Sequence, residues 1–324
     1  MKLSLYMPNF RDEVTVKEIV DLALLAENLD FDSIWTLDRI VVPASSDTGE
    51  MQCGFGNVPG QPRSLPVSSK GSFLHGLPLV PYLAALTKTI RLGTSIIVTP
   101  YRAPGVLAAE LATVDNLSNG RLNVGVGAGW MPEEFAVANA SHIYAKKGRH
   151  MIETIEVMKG VWTQEHFEYE GQFASFEKCG FGKKPVQQNP HPPIFMGGIA
   201  RPDLTAKRIN KYDLEGWIGS HNMPEDINKW RTEIAAEFNK METSRSVDDL
   251  TLCSMTPFAI TDERSDQTPL MGTVQQVTDN LKRFKEAGLT MPILWPPFSG
   301  TPTSKTMDDL NRLKNDIMPK VDEA

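Results

Sequence analysis

The 324-residue sequence predicts a single α/β domain, a (β/α)8 TIM barrel with loop insertions, on three observations. The first is residues 91–130, which read as strand, helix, strand. Leu92–Val98 is a short apolar, β-branched run, the mark of a strand buried on both faces. Pro100 and Pro104 end it, and Pro104 suits a first helical position because its missing N–H would be unpaired there anyway. Leu107, Leu111, Val114 and Leu117 then recur at helical spacing until Asn119-Gly120 stops the helix. Leu122–Val126 is a second buried strand, and two such strands joined by a helix make a parallel βαβ unit. The second observation is that this alternation recurs about eight times, the number a closed barrel requires. The third is that no fixed-period repeat, low-complexity segment or linker divides the chain, whose length suits one such barrel.

In order, Lys2–Met7 alternates as a first strand and Val14–Leu29 is an amphipathic helix. Ser33–Leu37 is a second strand, closing on Asp38-Arg39. Residues 40–77 hold many Gly, Pro and Ser with little periodicity, and a loop that long in a compact domain reads as a lid or substrate loop. Leu79–Lys88 is helical, and 91–130 follows. Glu133–Trp162 is mostly helical with a break at Ser141–Ala145. Residues 163–192 are a polar, aromatic-containing insertion with hairpin character (HFEYEGQFASFE). Pro193–Met196 is a strand closing on Gly197-Gly198, Arg201–Asn210 a helix and Leu214–Ile218 a strand. Pro224–Met241 is helical, Leu250–Ile260 a strand, Thr273–Ala287 a helix, Pro292–Trp295 a strand and Lys305–Met318 a last helix.

Composition bounds the function. A net charge of −7 argues against a nucleic-acid-binding surface. No apolar run nears the roughly 20 residues of a membrane span, and KLSLYM lacks the look of a signal peptide. Cys53, Cys179 and Cys253 are odd in number and far apart, which fits neither a zinc site nor a disulfide framework and suits a reducing cytoplasm. The six histidines show no ligand spacing, so no metal is expected.

Barrels of this kind place their active sites at the C-terminal ends of the strands. That rule selects Asp38-Arg39, Ser95–Arg102, Gly127–Glu134, Gly197-Gly198 and Gly219–His221. Gly197-Gly198, between a strand and a helix start, has the form of an anion cradle, where free backbone N–H groups meet a helix N-terminus. The GVGAGW stretch lacks GxGxxG spacing and is no dinucleotide fingerprint. Glu133 and Glu134 suit either a general acid or simply a helix N-terminus. The run AKKGRH, with Lys146, Lys147, Arg149 and His150, reads as a solvated helix face.

The wording RLGTSIIVTPYRAP…LAAELATVDNLSNGRLNVGVGAGW resembles the bacterial-luciferase-like oxidoreductases, especially their branch dependent on the deazaflavin coenzyme F420. Specific matches continue to about residue 220. The resemblance implies a non-prolyl cis peptide at Ser95–Ile96 whose bulge backs the deazaflavin ring. It implies a phosphate site at Gly197 and Gly198, continued by Ile199 and Ala200, with Asp38, Val98, Gly127 and Ala128 also lining the cofactor. It places Asp38 and Arg39 near the reacting face of the ring. The branch often has Asp-His there, and arginine, always protonated, cannot shuttle protons. That leaves the proton donor open, with Glu133 kept among the catalytic candidates. Trp130 stands where sugar-phosphate-oxidising relatives place an acidic residue, which suggests an apolar, aromatic or terpenoid substrate. The expected activity is hydride transfer between F420 and a small organic molecule, in a homodimer by resemblance. One alternative is an FMN-dependent monooxygenase using reduced flavin and O₂, whose members often carry an arginine where Ala128 stands. Another is a non-catalytic flavin-binding protein; the cationic Arg102 and AKKGRH run are alternative contacts for the deazaflavin's polyanionic tail.

Overall fold

The computed structural model describes residues 1–48, 65, 67–187, 189–198, 201–265, 268–297 and 301–323. Residues 49–64 and 66 of the expected lid loop, Cys53 among them, and Ile199 and Ala200 lie outside the described residues. In chain order the strands are β1 (Ser4–Tyr6), β2 (Ser33–Thr36), β3 (Arg91–Thr94), β4 (Ile97–Val98), β5 (Leu122–Gly127), β6 (Phe167–Glu170), β7 (Ser175–Cys179), β8 (Ile194–Gly197), β9 (Gly216–Ser220), β10 (Thr251–Ile260), β11 (Leu270–Gly272) and β12 (Met291–Trp295). The α-helices are α1 (Val16–Asn28), α2 (Gly76–Leu86), α3 (Pro104–Leu117), α4 (Pro132–Val137), α5 (Lys147–Thr163), α6 (Pro202–Tyr212), α7 (Pro224–Phe238), α8 (Val274–Glu286), α9 (Thr303–Arg312) and α10 (Met318–Asp322).

The sheet closes. Every pairing is parallel around the circuit β1, β2, β3 with β4, β5, β8, β9, β10, β12 and back to β1. This is the expected (β/α)8 TIM barrel. Its strands are buried almost throughout because helices cover the outside and side chains fill the inside. The interior is packed by Tyr6, Trp35, Phe195, Ile218, Cys253 and Trp295 among others. A larger core between sheet and helices holds residues such as Leu107, Leu111, Ile155 and Trp162.

Expected and observed elements differ in three places. The expected strand Leu92–Val98 is two pieces, β3 and β4, because a bulge interrupts it. The insertion, as expected, is an antiparallel hairpin, β6–β7, whose Phe176 packs edge-on to Phe181. A short strand, β11, pairs with the outer end of β10 beyond the barrel. The last helix is broken by a π-turn at Leu313–Ile317 before α10. No described helix is long and apolar enough to cross a membrane.

Candidate active site

The bulge sets the geometry of the barrel mouth. Gly93 pairs with Asn123 and Ile97 with Val126, so four steps along β3–β4 face three along β5. One residue is extra, which is the definition of a β-bulge. The Ser95–Ile96 bond inside it is cis, as the resemblance implied. Thr94 steadies the edge: its hydroxyl accepts from the Gly125 N–H and donates to the Gly125 carbonyl, both at 3.0 Å.

The bulge lays the half-buried Ile96 side chain across two neighbouring strands. A Cβ on Gly127 would fall 1.6 Å from Ile96 Cδ1, and one on Gly197 would fall 2.6 Å from Ile96 Cγ2. Only glycine permits this contact at either position. The Ser95 hydroxyl beneath is buried and has no hydrogen-bond partner among the described residues.

Asp38 and Arg39 follow β2, and both are buried rather than forming a surface pair. They also do not pair with each other. Asp38 takes two guanidinium hydrogen bonds from Arg102, at 2.6 and 2.8 Å, and a third at 3.0 Å from the Val98 N–H. Arg39 bonds Glu134 at 2.8 Å, and its guanidinium lies over Phe10 and Trp130, 5.6 and 5.2 Å from the ring centres. Glu134 also accepts from the Ile40 N–H at 2.9 Å and the Tyr101 hydroxyl at 2.8 Å. Burial raises the Glu134 pKa despite those donors, and burial together with Glu134 raises that of Tyr101.

Glu134, not Glu133, is thus the buried carboxylate of α4. Glu133 is half-buried, and its Oε2 has no hydrogen-bond partner among the described residues. Ala128 and Trp130 are half-buried on the same loop. Trp130 joins an apolar cluster with Phe10, Phe73 and Met131 at the mouth.

Across the barrel, Gly198 has φ 147°, and a Cβ there would meet nothing within 4 Å. Its carbonyl accepts from Trp217 Nε1 at 3.1 Å. The helix α6 begins four residues later, with no side-chain cap from Arg201. On the far side His221, at φ 56°, packs its ring edge-on to Trp295. Within the AKKGRH run the lysines and Arg149 stay at least partly exposed, but His150 is buried at 2%. Burial lowers its pKa to about 4. The solvated-face expectation therefore fails for His150.

The sequence pattern of the luciferase-like monooxygenases matches residues 1–268. The chain belongs to that family. An FMNH₂-dependent dimethylsulfone monooxygenase from Pseudomonas putida is 36% identical over 120 residues, 37% of this chain and 32% of that protein. This match spans about a third of the relative's length; proteins of Mycobacterium with no assigned function match over 48% of theirs. Among solved structures, an F420-dependent secondary alcohol dehydrogenase holding an F420–acetone adduct overlays with TM-score 0.77 at 14% identity, covering 99% of this chain and 98% of the other. The oxygenating component of a 3,6-diketocamphane monooxygenase from Pseudomonas putida, a type II Baeyer-Villiger enzyme with FMN, overlays with TM-score 0.72 at 13% identity, covering 99% and 98%. At such identities the overlays establish a shared fold. Solved proteins of this fold thus include both an F420-dependent and an FMN-bound oxidoreductase.

Proposed function

We propose that this luciferase-like protein is an F420-dependent oxidoreductase acting on a small, apolar organic substrate. The observation that supports it best is Ile96 lying on Gly127 and Gly197. It makes an apolar backstop at the barrel mouth, against which a flat ring would rest. The residues present fit such a group: the Ser95 hydroxyl is buried without a partner, and the Gly198 turn stands open before a helix with no side-chain cap. Gly197 and Gly198 would hold the phosphate.

When bound, the deazaflavin supplies two-electron hydride chemistry. The chain's own groups orient and gate. Arg102 and the Val98 N–H fix Asp38 in its carboxylate geometry and tie the loop after β2 to the bulge. Arg39, a permanent cation under Trp130, favours an anionic or polarised oxygen nearby and donates no catalytic proton. Glu133, with a free carboxylate oxygen, is the candidate proton donor. Phe10, Phe73 and Trp130 shape an apolar entrance that excludes water from the reacting face. Ala128 in place of arginine favours the deazaflavin over FMN.

The FMN monooxygenase reading keeps one specific support, the FMNH₂-dependent relative at 36% identity. Anaerobic turnover separates the two. Reduced F420 oxidised by a carbonyl or enone substrate without O₂ supports hydride transfer; turnover that requires reduced FMN and consumes O₂ rejects it.

A further inference from the structure

The N-terminal end of the barrel, opposite the candidate active site, opens into a cavity of about 470 Å³. Residues at or beside the starts of all eight barrel strands line it, so it lies on the barrel axis. That face of such barrels usually carries stability rather than chemistry, and the proposed redox reaction makes no use of it. The floor is apolar, from Phe195 and Met291 of the interior cluster. The walls hold three cations, Lys2, Arg91 and Arg245, and three anions, Asp32, Asp213 and Glu215.

Two of these charges are unmatched. Arg245 bonds Asp213 at 3.1 Å and donates to the Ile209 and Leu214 carbonyls. Lys2 lies 3.7 Å from Asp32. Arg91 and Glu215 have no ion-pair partner among the described residues. Arg91 sets Nε and Nη2 on Asn123 Oδ1, the Leu122 carbonyl and Gln187 Oε1, and its Nη1 has no partner among the described residues. Burial lowers the Arg91 pKa although Asp32, Asp115 and Glu215 act against it, so an anion beside Nη1 is favoured. Two further side chains stand ready. Asn123 is 2% exposed, its Oδ1 is taken by Arg91, and its Nδ2 has no partner among the described residues. His191 is 6% exposed, holds Nδ1 on the Pro192 carbonyl at 2.8 Å, and has no partner for Nε2 among the described residues. With the proton on Nδ1, Nε2 is an acceptor.

Strand order puts the two poles side by side. The donors Arg91 and Asn123 stand on β3 and β5, the acceptors His191 and Glu215 just before β8 and β9, and β5 pairs with β8. A molecule with a carboxylate and an ammonium on one carbon matches both poles at once. Walls of balanced charge give a simple anion or cation no such advantage, and the apolar floor suits a hydrocarbon side chain. We propose that this cavity binds a free α-amino acid with an apolar side chain, its carboxylate on Arg91 and Asn123 and its ammonium on Glu215 and His191. The site is independent of the cofactor reading.

The test is calorimetric titration of the purified protein at low salt with L-leucine, 4-methylpentanoate and 3-methylbutylamine. The last two are leucine without its amine and leucine without its carboxylate. Leucine should bind at least ten-fold more tightly than either, and added salt should weaken it. Glu215 is exposed, and Glu215→Gln can keep its bond to the Thr251 hydroxyl. That variant should bind leucine no better than 4-methylpentanoate, with melting temperature and F420 titration as in the wild-type protein. Arg91→Gln, once its circular dichroism matches the wild-type spectrum, should bind neither leucine nor 4-methylpentanoate. Silence from leucine, L-methionine and L-phenylalanine alike overturns the site. So does leucine binding that survives Glu215→Gln, and so does 4-methylpentanoate binding as tightly as leucine, the mark of a plain anion site. Each of these results leaves the F420 reading standing.

Discussion

Asp38 and Arg102, 64 positions apart, meet end to end: both Nη atoms of Arg102 reach the carboxylate, at 2.6 and 2.8 Å. Asp38 is 3% exposed, so the pair joins the loop after β2 to the segment after the bulge with little help from solvent. Arg102→Ala leaves a buried carboxylate uncompensated and should cost about 3 kcal/mol of stability. Arg102→Lys should recover only part, since an ammonium is a point charge without the two-pronged geometry. Urea midpoints of the three proteins check this.

Gly127→Ala drives a methyl into Ile96. The variant should lose about 1–3 kcal/mol, the usual cost of overpacking, and lose cofactor binding as the backstop shifts. Adding Ile96→Ala should restore stability, because the two sites share one contact and their effects are not additive. Binding should not return. A double variant no more stable than Gly127→Ala would show that the clash is not with Ile96.

Much of this arrangement was legible in the sequence, for identifiable reasons. Eight strands buried on both faces leave short apolar runs, so Ser33–Thr36, Leu122–Gly127 and Met291–Trp295 stand out. The bulge at Ser95–Ile96 has no local signature in a β-branched run and was readable only through the family resemblance. Arg102 reaching Asp38 is a long-range choice that no window of sequence contains. Glu134 was missed in favour of Glu133, although a signal existed. Met131, Glu134, Phe135 and Ala138 share one helical stripe, and Met131 and Phe135 are fully buried. That phase turns Glu134 inward and leaves Glu133 half-buried. β11 escaped notice because it is three residues long and lies outside the barrel.

Glu134 makes stability depend on pH in a defined sense. Its folded-state pKa lies above the ordinary 4.5 because burial outweighs Arg39, the Ile40 N–H and the Tyr101 hydroxyl. The folded state therefore binds the proton more tightly than the unfolded chain. This contribution is fully present below pH 4.5 and is lost as pH rises through the raised pKa. The stability of the wild-type protein relative to Glu134→Gln should fall as pH increases from 4.5 toward neutrality. Denaturation midpoints across that range measure it, and a difference that grows with pH would mean Arg39 dominates instead.

If Glu133 delivers the proton, Glu133→Gln should lower turnover by about 10²-fold or more, the usual scale for a lost general acid. The dissociation constant for the cofactor should stay as in the wild-type protein. Unchanged turnover would remove Glu133 from the chemistry and return attention to His221 on the opposite rim.

The central claim is that Ile96 on its two glycines and the open Gly198 turn together hold a deazaflavin. Side-by-side equilibrium titration of the purified protein with F420 and with FMN, followed by fluorescence, tests it most directly. Tight F420 binding with FMN at least ten-fold weaker is the expected result, and Gly198→Ala, which forces a side chain onto a φ of 147°, should weaken it. Tight FMN binding with F420 left in solution would contradict the claim.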